Sequence, residues 1–181
     1  VADSLGIRFM VANYTDRFQT EVIERFADSY LAGRTPIPCV ACNKRFKFDL
    51  LLERAKAFGA ERVATGHYAR IERDPETGRM RLLRALHLSK DQTYFLFQLD
   101  QSQLERAWFP LGERTKSQVR EQARALGLVT ADKPESQEIC FVPANDYRRV
   151  IRKEAPESIQ QGDIIDEDGD KIGTPEGYAA Y

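Results

Sequence analysis

Apolar side chains recur every four positions at Phe18, Val22, Phe26 and Tyr30, the spacing of a single buried helical stripe. The run before it, Ile7 to Tyr14, is apolar, β-rich and too short for a helix, so it reads as a strand. Asp16 is placed to cap the helix that follows, and Gly6 to stop a helical turn at the start of the chain. A second amphipathic run extends from Asn43 to Phe58, with Phe48, Leu51, Leu52, Ala55 and Phe58 inward and Gly59 at its end. Arg62 to Thr65 predicts a short buried strand that runs into Gly66-His67-Tyr68. The order strand, helix, helix, strand points to a parallel α/β sheet. Tyr68 to Glu72 and Arg79 to Leu83 flank Asp74-Pro75-Glu76-Thr77-Gly78 and predict a hairpin.

From Lys90 onward the periodicity turns helical. Asp91 to Leu99, Ser102 to Ala107 and Lys116 to Leu126 are predicted helices, the last with Val119, Ala123 and Leu126 inward and Gly127 as its cap. Ile139-Cys140-Phe141-Val142 is a short apolar segment, and Asp146 to Lys153 a helix. Beyond Pro156 the pattern changes to short strands split by Gly162 and the acidic turn Asp166-Glu167-Asp168-Gly169-Asp170. A domain boundary is expected near residue 143, giving residues 1–142 and 143–181.

Between the first two helical runs lies Gly33-Arg34-Thr35-Pro36-Ile37-Pro38-Cys39-Val40-Ala41-Cys42-Asn43. Two X-Pro steps hold Thr35 and Ile37 extended, and each proline fixes its own φ, so the arm is stiff without hydrogen bonds. Two cysteines follow, two residues apart. With a helix predicted from Asn43, Cys42 falls near a helix start, where unpaired N–H groups favour an anion and a thiolate. The blander reading makes Cys39 and Cys42 small apolar fillers. Cys140 is a candidate partner thiol or, equally, a core cysteine. A Cys₃His zinc site from Cys39, Cys42, Cys140 and His67 or His87 is the competing chemistry, although structural zinc usually takes two tight pairs and only one exists here.

Composition changes the picture in two places. The chain has 181 residues, of which 42% are hydrophobic and 30% charged, enough for a real core in a soluble protein. No apolar run approaches the length of a membrane span. Three cysteines are too few for a secreted disulfide scaffold, so a reducing cytoplasm is expected, with any disulfide transient. The net charge of −1 hides a strong asymmetry: residues 33–90 carry 13 basic and 6 acidic side chains. That local excess is an electrostatic footprint suited to a polyanion. Gly66-His67, after a predicted strand, lies at the edge where open α/β sheets bind ligands, and Gly66 lets a ligand approach the backbone. His67 reads as a phosphate or base contact or as a structural histidine. Lys90-Asp91-Gln92 opens a predicted helix, either as a plain polar cap or with Lys90 on a phosphate and Gln92 on a base edge.

Five motifs then combine. Residues Gly33 to Asn43 with Lys47-Phe48, Ala64-Thr65-Gly66-His67-Tyr68-Ala69-Arg70, Lys90-Asp91-Gln92-Thr93-Tyr94-Phe95-Leu96, Phe109-Pro110-Leu111-Gly112 and Ser136-Gln137-Glu138-Ile139-Cys140-Phe141 resemble, in order and spacing, the bacterial tRNA-specific 2-thiouridylases. The resemblance implies a Rossmann-like ATP-pyrophosphatase domain of the adenine nucleotide alpha hydrolase type. It also implies a helical extension and, after it, the start of a small α/β or β-rich central domain. It implies conversion of the wobble uridine of tRNA to 2-thiouridine, with ATP and Mg²⁺ to adenylate the C2 oxygen and sulfur delivered from a cysteine persulfide. By position, Cys42 would be nucleophile and resolving thiol, Cys140 the persulfide carrier, and Ile37, Pro38 and Cys39 would face the target base. Gly66 would touch ATP; His67, Lys90, Asp91 and Gln92 would touch tRNA. The implied partners are tRNA and a sulfur-donor relay protein, with no membrane.

Cys39 is variable in that family and carries no assigned chemistry. Ile37 stands where Asn is usual, and Pro175 where His is expected. The family's SGGxDS phosphate loop is expected upstream of Val1 and its β-barrel downstream of Tyr181, so the chain reads as an internal fragment that is inactive alone. Two alternatives stay beside this reading: a zinc-stabilised RNA-binding module without catalysis, and another ATP-pyrophosphatase-fold enzyme.

Overall fold

The computed structural model describes residues 1–134, 138–156, 162–174 and 177. Ser136 and Gln137 of the last motif, and Pro175, lie outside the described residues. The chain is mixed α/β and forms two compact units: Val1–Ala12 with Cys39–Glu135, and Asn13–Pro38 with Ser136–Tyr181.

The first unit is organised by one long helix and two small sheets. The helix runs without a break through Pro38–Cys42, the π-wound Asn43–Leu50, and Leu51–Ala57. It therefore begins five residues before the predicted start at Asn43. Pro38 explains the difference: a proline's fixed φ suits the first helical position, and its steric restriction falls on the preceding Ile37. Cys39 thus occupies the first turn and Cys42 the second, so the unpaired N–H groups of the helix start lie nearer Cys39 than Cys42. Phe48 and Leu52 are buried as predicted, whereas Phe58, at the helix end, is exposed.

Strand β1 (Val63–Ala64) pairs in parallel with β4 (Ala107–Trp108), Val63 opposite Ala107, and the ladder continues as Thr65 N–H donates to Trp108 O at 3.0 Å. The guanidinium of Arg106 donates to the carbonyls of Glu61 and Ala60, both at 3.1 Å, pinning the entry to β1. Strands β2 (Ala69–Arg73) and β3 (Met80–Arg84) form the predicted hairpin, antiparallel with Ile71 opposite Leu82. Its turn is closed by Asp74, whose carboxylate accepts from the N–H groups of Glu76 and Thr77. Phe48, Leu52, Val63, Ala69, Leu96, Leu99, Leu104, Ala107 and Phe109 form the buried core beneath these elements.

Two predicted elements are absent. Residues 7–14 form no strand, and Ile7, Phe9, Met10 and Val11 are exposed. A strand needs a neighbour for its N–H and C=O groups, and none pairs with this run among the described residues. The region expected as a helix from Asp91 to Leu99 holds only the 3₁₀ turn Thr93–Phe95, with a second 3₁₀ turn, Leu88–Lys90, just before it. Asp91 and Gln92 break it because their side chains bind backbone elsewhere, as short polar side chains do in competition with helix. Helix Gln101–Arg106 is held by a capping box from Asp100, whose carboxyl is pushed below its usual range chiefly by the Gln103 N–H. Helix Lys116–Ala125 has the same device from Thr115, and the expected inward Leu126 is exposed.

In the second unit a helical run passes through Thr15–Phe18, the π-wound Gln19–Glu24 and Arg25–Leu31. Its start is satisfied by Asn13, whose amide oxygen accepts from Thr15 N–H at 2.9 Å, and Asp16 sits inside the first turn instead of capping it. Phe26, Val142 and Val150 form the core, with Tyr30 stacked on Tyr147 at 4.4 Å and Phe141 edge-on to Phe26 at 5.2 Å. Helix Tyr147–Glu154 follows, then strands β5 (Ile164–Ile165) and β6 (Lys171–Gly173) as a hairpin over the acidic turn.

Candidate functional site

The parallel pair β1–β4 ends at Thr65 and Trp108, and the chain beyond β1 turns through Gly66, His67 and Tyr68. Gly66 is exposed, and the nearest atom to a Cβ built there is Leu111 Cδ1 at 3.8 Å. The space at this strand end is open for a ligand to reach the backbone, which is what a nucleotide contact at Gly66 requires.

His67 points the other way. It is 6% exposed, with its ring between Phe48 and Phe109. Thr65 Oγ1 lies 2.7 Å from Nδ1 and Asn43 Oδ1 3.1 Å from Nε2. An amide oxygen only accepts, so Nε2 carries the proton and Nδ1 accepts from the Thr65 hydroxyl. The Asn43 orientation is supported by its own Nδ2, which donates to Phe95 O at 3.4 Å. Lys47 Nζ, 3.5 Å from Nε2, is then a neighbouring charge facing an N–H. Burial, and after it the Lys47 charge, lowers the His67 pKa to about 4, so the ring is neutral. The histidine thus ties the strand end to Asn43, the residue after Cys42, and its partners are protein groups.

Gln92 and Asp91 act in the same way. Gln92 Oε1 accepts from Tyr68 N–H at 2.9 Å while its own N–H donates to Tyr68 O at 2.8 Å. Asp91 accepts from Ala85 N–H at 2.8 Å and from the Thr93 hydroxyl at 2.5 Å, with Arg84 3.7 Å away. Both side chains fasten the turn to the ends of the hairpin. Lys90, half-buried, closes the preceding 3₁₀ turn.

Gly112 completes the frame: a Cβ there would lie 1.9 Å from Ala69 O, so only glycine lets the Phe109–Gly112 turn pack on β2.

Of the arm, Ile37 is exposed, Pro38 buried, and Cys39 and Cys42 half-buried. In the second unit Cys140 is exposed, while its neighbours Ile139, Phe141 and Val142 pack inward. None of Cys39, Cys42 and Cys140 is in a disulfide. Among the described residues no three His, Cys, Asp or Glu side chains gather to hold a metal ion, and no helix is long and apolar enough to cross a membrane. Sequence reading missed Asn43 and Thr65 as partners of His67. The signal was available only as a polar residue beside Cys42 and another at a strand end.

A short parallel strand pair, an open glycine at its carboxyl edge and a buried polar clamp onto the cysteine helix place these residues in a mixed α/β fold. The chain belongs to the tRNA methyl transferase HUP domain family, whose model matches residues 1–144. Over its whole length it is similar to the tRNA-specific 2-thiouridylase MnmA of Heliobacterium modesticaldum, 52% identical over 182 residues that make up 47% of that relative. The MnmA of Carboxydothermus hydrogenoformans is 50% identical over 181 residues, all of this chain and 50% of the relative. The chain spans about half the length of the curated relatives it matches.

Proposed function

We propose that the protein containing this chain is a tRNA-uridine 2-sulfurtransferase that makes 2-thiouridine at the wobble position. The observation that carries this is the similarity to 2-thiouridylases over the whole length of the chain. The matched family's description names methyl transfer; the whole-chain relatives favour thiolation, for which two separated thiols have a use.

In this reading the C2 oxygen of uridine is first activated as an adenylate: it attacks the α-phosphorus of ATP held near Gly66, the O–P bond forming as the α–β bridge breaks and pyrophosphate leaves, with Mg²⁺ as the counter-ion of the phosphates. A relay protein leaves a persulfide on Cys140. Its terminal sulfur attacks C2, forming a C–S bond as the C2–O bond breaks and AMP departs. The Cys42 thiolate then attacks Cys140 Sγ. The S–S bond to the transferred sulfur breaks, its electron pair stays on that sulfur, and 2-thiouridine is released with a Cys42–Cys140 disulfide left behind. Cellular thiol reduces that bond for the next turnover. Ile37, Pro38 and Cys39 face the target base and Lys90 meets the tRNA. His67, Asp91 and Gln92 serve tRNA binding by fixing the backbone around those contacts. Residues 1–142 supply the catalytic ATP-pyrophosphatase-type domain with its helical extension, residues 143–181 begin a central domain, and the enzyme works in the cytoplasm.

The test is reconstitution of the full-length protein with ATP, a persulfide donor and unmodified tRNA, with nucleoside mass spectrometry as the readout. ATP-dependent 2-thiouridine at the wobble position is expected. A methylated uridine, or thiolation that proceeds without ATP, overturns the reading.

A further inference from the structure

Tyr94 and Phe97 are large aromatic side chains left in solvent, 60% and 63% exposed. They are three residues apart, Tyr94 inside the 3₁₀ turn Thr93–Phe95 and Phe97 just beyond it. Leu96 and Leu99 of the same stretch are both buried in the core. The stretch is therefore amphipathic by construction, with aliphatic side chains inward and aromatic ones outward. The outward rings lie 6.3 Å apart between centroids, and Tyr94 also meets Phe95 edge-on at 5.8 Å.

The cysteine helix holds this turn at two points. Asn43 Nδ2 donates to Phe95 O at 3.4 Å, and Lys44 Nζ donates to Gln98 O at 3.0 Å. The second bond fixes an ammonium group at the carbonyl of the residue after Phe97, where its charge also acts on the Asp100 carboxylate, while Arg45 on the same helix pairs with Asp49 at 3.5 Å; residues 33–90 as a whole carry 13 basic and 6 acidic side chains. Exposed aromatic faces beside fixed cations are what unpaired nucleotides use: bases stack on the rings and phosphates meet the charges. An aliphatic protein partner would gain nothing from the ammonium.

We propose that Tyr94 and Phe97, with Lys44, form a stacking platform for unpaired nucleotides of the RNA, in the same compact unit as Cys42. This rests on the proposed tRNA function and goes beyond it by naming where loop bases adjoining the reacting uridine are held.

The experiment uses full-length protein, an anticodon stem-loop with unmodified wobble uridine, and a blunt RNA duplex of equal length. Tyr94→Leu and Phe97→Leu keep the apolar bulk on an exposed face and remove only the aromatic plane. Each is expected to weaken stem-loop binding by about tenfold while leaving duplex binding and the salt slope as in the parent. In parallel, 4-fluorophenylalanine at position 97 should give a ¹⁹F resonance that is solvent-exposed without RNA and moves upfield on adding the stem-loop. If the parent binds the stem-loop and both leucine variants bind it equally well, the platform is refuted and the tRNA reading stands. If the parent binds no RNA at all, both fall. If the ¹⁹F probe is solvent-shielded before RNA is added, the rest of the polypeptide covers this face and the proposal is overturned.

Discussion

His67 offers the most direct check on the physics of the site. Its ring is 6% exposed, and protonation places a charge where burial and Lys47 both oppose it, which lowers the pKa from the ordinary 6.5 to about 4. That displacement corresponds to about 3 kcal/mol between the two protonation states. The sign follows from which state binds the proton: between pH 6.5 and 4 the unfolded chain is protonated and the folded ring is not. Stability from this group is therefore intact above about pH 6.5, falls as pH drops, and is lost by about pH 4. Titration of a ¹⁵N-histidine-labelled full-length protein by NMR measures the value directly, and the ring nitrogen shifts should report the Nε2–H tautomer. Lys47→Met should raise the pKa only in part, because burial is the larger cause. A His67 that titrates at or above 6.5, or one that returns to that value in Lys47→Met, would refute the account of a buried neutral clamp.

Four further outcomes are expected. In the full-length protein Cys42→Ser and Cys140→Ser should each abolish thiolation while Cys39→Ser is tolerated. Mild oxidation should trap a Cys42–Cys140 bond, which needs Cα atoms within roughly 7 Å; a Cys39–Cys42 bond alone in a non-reduced digest would instead indicate a simple redox pair. Gly112→Ala should destabilise by about 3 kcal/mol or more, read as a lowered denaturation midpoint, because its Cβ meets the Ala69 carbonyl and backbone must move. Lys90→Ala should reduce tRNA affinity and flatten the log–log salt dependence by about one unit; an unchanged slope would remove Lys90 from the phosphate contacts.

Much of the fold was legible in the chain itself. The four-residue apolar period located the first long helical run and the amphipathic pattern from Asn43 most of the second, the Asp74–Gly78 turn located the hairpin, and the short apolar run after Arg62 located β1, because each is dictated by local chemistry within one element. The basic excess of residues 33–90 and the cysteine spacing are likewise properties of sequence alone. Other features were settled by tertiary structure. Ile7 to Tyr14 has strand composition but no strand, since a strand exists only with a partner. The run after Lys90 has helical periodicity, yet Asp91 and Gln92 bind Ala85 and Tyr68, and those bonds outweigh local preference. His67 was visible as a residue of interest from sequence. Whether it faced a ligand or the interior depended on Asn43, Thr65 and the two flanking phenylalanines, brought together from separate elements. Local pattern determines which residues can act; the burial and partners that decide how they act arise from contacts between elements distant in the chain.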